Sequence, residues 1–185
     1  MWALVTTFFH DFFRARGMDG LAAGTVAGFV GFGAIGMGAL GSVLAGAWAD
    51  RLGRERVSIA AMAVSGACAL VIGWLTSAPA IVVVAVAMVW GFAIVADSAQ
   101  FSAVVTEVAP QHAVGTALTL QTSLGFGLTT VSIWLAVEVS NRFGWGPAFS
   151  LLAIGPAFGI ASMARLMAIR AARAPASPAH EPATR

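Results

Sequence analysis

The sequence predicts an all-α fold, a polytopic transmembrane helix bundle of about five full spans preceded by a partial N-terminal helix. Three observations predict it. Of the 185 residues, 59% are hydrophobic and only 10% are charged, and the mean hydropathy is +0.88. Soluble domains carry roughly a quarter charged residues, so this chain lacks the polar coat that water demands. The apolar residues fall in long runs with the charges between them. Composition therefore excludes a water-soluble enzyme. A disulfide scaffold within the chain is excluded too, because Cys68 is the single cysteine. All ten basic residues are Arg, against eight acidic ones, for a net charge of +2. A nucleic-acid partner would require them to cluster in a basic patch, and they do not. The expected surroundings are a lipid bilayer.

A helix crosses a hydrocarbon core about 30 Å thick with about 20 apolar residues. Residues 25–48, 57–75, 79–106, 114–137 and 147–169 meet this test. The third run is interrupted near its far end by Asp97 and Gln100. Residues 1–13 form a shorter apolar segment that would reach only about 20 Å as a helix. It has no basic start and no small-residue cleavage site, so it does not read as a signal peptide. It reads instead as the end of a helix whose first half is missing. The domain organisation is one membrane unit over 1–169, followed at 170–185 by an Ala/Pro-rich tail with little to bury.

Cytoplasmic loops retain positive charge. With the 50–56 loop inside, that side holds Arg51, Arg54, Arg56, Arg165, Arg170, Arg173 and Arg185, and the other side Arg14, Arg16 and Arg142. The expected location is the inner (plasma) membrane with the C-terminus cytoplasmic. Trp48, Trp74, Trp134 and Trp145 fall near span ends, as an aromatic belt requires, whereas Trp2 and Trp90 do not.

The most specific motif is Gly46-Ala47-Trp48-Ala49-Asp50-Arg51-Leu52-Gly53-Arg54-Glu55-Arg56, between the first two full spans. Gly46 is expected to permit close helix approach and Gly53 a tight turn with positive φ. Arg51, Arg54 and Arg56 hold the loop on the cytoplasmic side. Asp50 is placed to meet the positive end of a neighbouring helix dipole. The motif resembles the G-x-x-x-D-R-x-G-R signature of the major facilitator superfamily, found after the second helix of a six-helix half. The resemblance covers most of residues 1–170. The stretch Ala96-Asp97-Ser98-Ala99-Gln100-Phe101-Ser102, then Pro110 and Val114-Gly115-Thr116-Ala117, is similar to the family's tenth and eleventh helices. Gly144-Trp145 resembles the outer turn into the twelfth.

This resemblance implies a C-terminal six-helix half truncated within helix seven, with the five spans as helices eight to twelve. It also implies secondary active solute transport or efflux by alternating access. The partners would be a small-molecule solute and an N-terminal six-helix half or a second copy. The family's paired three-helix repeats have an echo here: Asp50-Arg51-Leu52-Gly53 returns in kind as Asn141-Arg142-Phe143-Gly144. Two departures stand out. The first six helices are absent, and the 107–113 loop has His112 but no Arg to anchor it.

Asp97 lies ten residues before Glu107, about 15 Å deep. Asp97, Gln100 and Glu107 share one side of a helix. They read as a polar stripe on a translocation path, with Asp97 contacting a proton or substrate, or as a hydrogen-bonded lock between helices. Gln121, in the next span, is a candidate cavity residue. Thr119, Thr122 and Thr129 read as ordinary interhelical hydrogen-bonding groups. The first full span carries Gly24, Gly28, Gly31, Gly33, Gly36, Gly38, Gly41 and Gly46, and the Gly24/Gly28 spacing suits close packing. The nearly non-polar spans 57–75 and 147–169 read as peripheral helices, and His10-Asp11 as an interfacial polar pair. The scattered His10, His112 and His180 have no metal-ligand spacing, and no phosphate-binding Gly-Lys loop occurs. Neither a cofactor nor enzyme chemistry is expected. A reading from another class is a membrane-integral remnant or assembly partner that packs without transporting.

Overall fold

A computed structural model describes residues 2–173, and every regular element among them is helical. The elements are α1 (Trp2–Arg14), α2 (Gly20–Leu52), α3 (Arg54–Ile72), α4 (Ala80–Val108), α5 (Val114–Phe143), α6 (Trp145–Leu152) and α7 (Ile154–Arg173), with short 3₁₀ turns at Leu75–Ser77 and Gln111–Ala113. Among the described residues, five helical stretches are long and apolar enough to cross a membrane, with α6 and α7 counted together. These stretches are compatible with a membrane-embedded protein.

The helix ends follow from local chemistry. Asp19 caps α2, its Oδ1 accepting from the Ala22 N–H at 2.9 Å. α2 then runs without interruption to Leu52 and stops at Gly53, whose φ of 89° places it in the left-handed region. α5 stops in the same way at Gly144, with φ 84°. Each of these glycines donates its N–H four residues back at 2.9 Å, Gly53 to Ala49 and Gly144 to Ser140. Each also begins the next helix directly. The sequence echo is thus an echo in backbone geometry, placed after the second helix of α1–α2–α3 and of α4–α5–α6/α7.

Several expected boundaries move. Those of α4 are not among them: it runs through Asp97 and Gln100 to Val108, within two residues of the expected span, because a helix satisfies its own backbone whatever its side chains carry. The last expected span is broken at Ala153. Pro156 has no N–H to bond the carbonyl of Leu152, and its ring crowds that carbonyl. Residues 170–173, expected in the tail, are helical and belong to α7. The rest of that expected tail, 174–185, lies outside the described residues.

The core is built around α1. Leu4, Val5, Phe8, Phe9, Phe12 and Phe13 are all buried. Phe8 sits edge-on to Phe149 at 5.4 Å and to Trp145 at 5.6 Å, and Phe149 is edge-on to Trp90 at 5.3 Å. These aromatic contacts join α1, α4 and α6.

α2 packs most extensively along α4. A Cβ at Gly41 would run into the Phe92 backbone, and one at Gly91 into the Ala34 carbonyl. The close approach is therefore at Gly41 and Gly91. It is not at the expected positions: Cβ atoms at Gly28 and Gly46 would meet open space, and one at Gly24 only the edge of His10 at 3.9 Å. A second correction concerns α3, expected at the periphery. It packs against α2, α4, α6 and α7 and has the largest buried share of the five spans. α5 is as little embedded as the α6/α7 span. Among the residues of α5 only Ala136 is buried, and the helix packs mainly on α6 and touches α1 and α4 lightly.

Candidate functional site

Two polar features stand out along α4. The first is a half-open cavity of about 310 Å³ lined by α1, α3, α4, α5 and the α6/α7 break. Its walls are mainly apolar, with Leu4, Ile94, Phe101 and Ile133 among them. Polar groups reach it at Asp97, Ser65, Thr129 and Ser132. Asp97 lies three residues past the middle of α4. Its Oδ1 lies 3.1 Å from the Ser98 hydroxyl, whose one proton is shared between it and the Ile94 carbonyl at 3.0 Å. The partner is on the same helix. The interhelical lock expected as one reading of Asp97 thus has no partner on another helix among the described residues. Two turns earlier on the same helix, the Trp90 indole donates to Ser65 Oγ at 3.2 Å and fixes the α3–α4 wall. Trp90, which did not fit an aromatic belt, is a buried wall residue. Gly155, Pro156 and Gly159 complete the cavity where α7 starts.

The second feature is an ionic cluster at the end of the bundle where α2, α4 and α7 finish and α3 and α5 begin. Arg54 Nε donates to Glu107 Oε1 at 2.5 Å, and Arg54 Nη1 lies 3.4 Å from Gln100 Oε1. Arg170 pairs with Glu55 and lies 3.6 Å from Glu107 Oε2. The cluster joins α3, α4 and α7. It divides the expected stripe: Asp97 opens on the cavity, whereas Gln100, only 2% exposed, and Glu107 turn to Arg54. Glu107, where α4 runs into the 107–113 loop, is thus tied to α3 and α7.

The rest of the loop motif is less engaged. Asp50 is exposed and makes no hydrogen bond or ion pair among the described residues. Arg51 is likewise exposed and unpaired among them. Gln121 does not line the cavity. Its Oε1 is buried with no hydrogen-bond partner among the described residues. Thr119 and Thr129 bond carbonyls of their own helix at Gly115 and Gly125, not neighbouring helices as expected. Such back-bonding satisfies each hydroxyl within its own helix.

At the opposite end, Arg16 Nη2 donates to the Thr76 and Ala78 carbonyls at 3.1 and 2.5 Å, and its guanidinium lies 3.6 Å over Phe12. Asp11 Oδ2 accepts from the Trp145 indole at 3.1 Å while Oδ1 faces His10 at 3.4 Å. Sequence reasoning missed the first clasp because its partners are backbone atoms sixty residues away. Among the described residues, no three His, Cys, Asp or Glu side chains converge on a metal-sized site. Comparison of the chain with protein-family models, curated proteins and solved structures finds no match.

Proposed function

We propose that the chain is a membrane-embedded six-helix half of a secondary active transporter of the major facilitator type, in which Asp97 contacts the solute or the coupling proton. The observation that carries this reading is Asp97 itself: an ionisable side chain midway along an apolar helix, opening on a cavity with Ser65, Thr129 and Ser132. A carboxylate at membrane depth is costly, and where one is kept it serves a pathway or a partner by default. The matching turns at Gly53 and Gly144 support a pair of three-helix repeats, the arrangement from which such transporters build a midplane site. The α5 surface supports the need for a second wall, because Phe126, Leu128, Val131 and Trp134 are all exposed on it.

In this reading, the cavity opens alternately to either side as the half rocks against a partner half or a second copy. Gly46, Asp50, Arg51, Gly53 and Arg54 form the gate-side loop, with Asp50 and Arg51 available to a partner. That loop and α7's end face the cytoplasm. The uptake test uses proteoliposomes holding the chain with whatever six-helix partner copurifies with it, and a solute panel under an imposed proton gradient. Saturable, gradient-dependent movement of one solute class is expected. A pure, correctly inserted complex that moves none of the panel above liposome background would favour a non-transporting assembly partner.

A further inference from the structure

A separate, almost wholly apolar groove of about 400 Å³ lies between α2, α3 and α4, on residues the Asp97 cavity does not use. Its floor is the buried small side chains Ala45, Ala93 and Ala96 with Val57. Its rim is the exposed Trp48, Val64 and Val89. One charged residue lines it, Arg56, at the end nearest the 50–56 loop. From Arg56 to Val64 the groove follows eight residues of α3, about 12 Å, close to the depth of one leaflet in a core about 30 Å thick.

The charges at the mouth favour an anion. Arg54 is held by Glu107 and Glu55 by Arg170, which leaves Asp50, Arg51 and Arg56 without ion pairs among the described residues. Two Arg against one Asp is one net positive charge. Arg56 is the one of these that borders the apolar floor, and Trp48 stands on the rim as an interfacial side chain does.

We infer that this groove is a binding site for one anionic phospholipid, its acyl chain lying along the small-residue floor and its phosphate on Arg56. A one-leaflet apolar furrow ending in a single unpaired guanidinium has the shape and charge of that ligand. Basic pockets between transmembrane helices take anionic headgroups for the same reason. The inference rests on the chain lying in a bilayer and not on its moving a solute.

The test places the full chain in phosphatidylcholine vesicles with a trace of phosphatidylglycerol or phosphatidylcholine carrying a photoreactive group on the acyl chain. Phosphatidylglycerol is expected to label α3 between Val57 and Val64, and α4 between Val89 and Ala96, about fivefold more than phosphatidylcholine, as one basic contact provides. Arg56→Gln should bring the two lipids to equal labelling. Ala60→Trp, which fills the groove, should remove the labelling of both at these segments. Arg56 is exposed and unbonded, so Arg56→Gln keeps the test decisive even where Ala60→Trp fails to fold. Equal labelling by the two lipids in the parent chain would overturn the inference. So would a photoreactive residue at Val64 that crosslinks to a second copy or another protein and not to lipid.

Discussion

Arg54 and Glu107, fifty-three residues apart, meet at 2.5 Å and bring the first turn of α3 against the last turn of α4. The same guanidinium reaches Gln100 one layer deeper, at 3.4 Å. Arg170 closes the cluster from α7 through Glu55. The most motif-like stretch of the sequence therefore fastens three helices of this unit together at one end, while the Asp97 cavity lies about 15 Å away along α4.

The two partners of Arg54 are unequally dependent on it. Glu107 is half-exposed, and an exposed pair contributes about 1 kcal/mol or less. Gln100 Oε1 is buried, and leaving a buried acceptor unpaired costs about 1–3 kcal/mol. Arg54→Ala should therefore destabilise the chain clearly more than Glu107→Gln in a denaturant titration of the detergent-solubilised protein. Equal losses would show that Gln100 draws nothing from Arg54.

Helix contact should fail at particular glycines only. Gly41→Ala and Gly91→Ala each place a Cβ against the backbone of the facing helix and should cost about 1–3 kcal/mol, as overpacking does. Gly28→Ala meets open space and should be neutral or gain up to about 1 kcal/mol from helix propensity. Thermal unfolding in one detergent, read by loss of helical signal, ranks the three.

Orientation is testable with single cysteines after Cys68→Ala. Arg142→Cys should react with a membrane-impermeant maleimide in intact cells, and Arg51→Cys only after permeabilisation. Both side chains are exposed at opposite ends of the bundle, so access and not burial determines the labelling. The reverse pattern would invert the arrangement drawn from the Arg distribution.

The sequence made the spans legible because apolar runs of membrane length have few other uses, and it made Gly53 legible because a turn between two helices needs positive φ. Packing was less legible. Lipid is as apolar as a protein interior, so the non-polar α3 looked peripheral although it packs on four other helices. Spacing alone could not tell Gly41, which meets Phe92, from Gly28, which meets nothing. Pro156 did carry a readable signal for the break at Ala153. Asp97 was legible because a charge in an apolar run is conspicuous. Its bond to Ser98 and its separation from Gln100 required the three-dimensional arrangement.

The most direct test of the transport reading is the accumulation of the transported solute under an imposed proton gradient, compared between parent and Asp97→Asn. The substitution keeps the shape and the capacity to hydrogen-bond with Ser98 while removing the charge and the titration. Protein level and unfolding temperature should stay at the parent values. Accumulation should fall at least tenfold, the loss of about 1.4 kcal/mol or more of coupling at the site. Full accumulation by Asp97→Asn, with its dependence on the gradient unchanged, would contradict a role for Asp97 in transport.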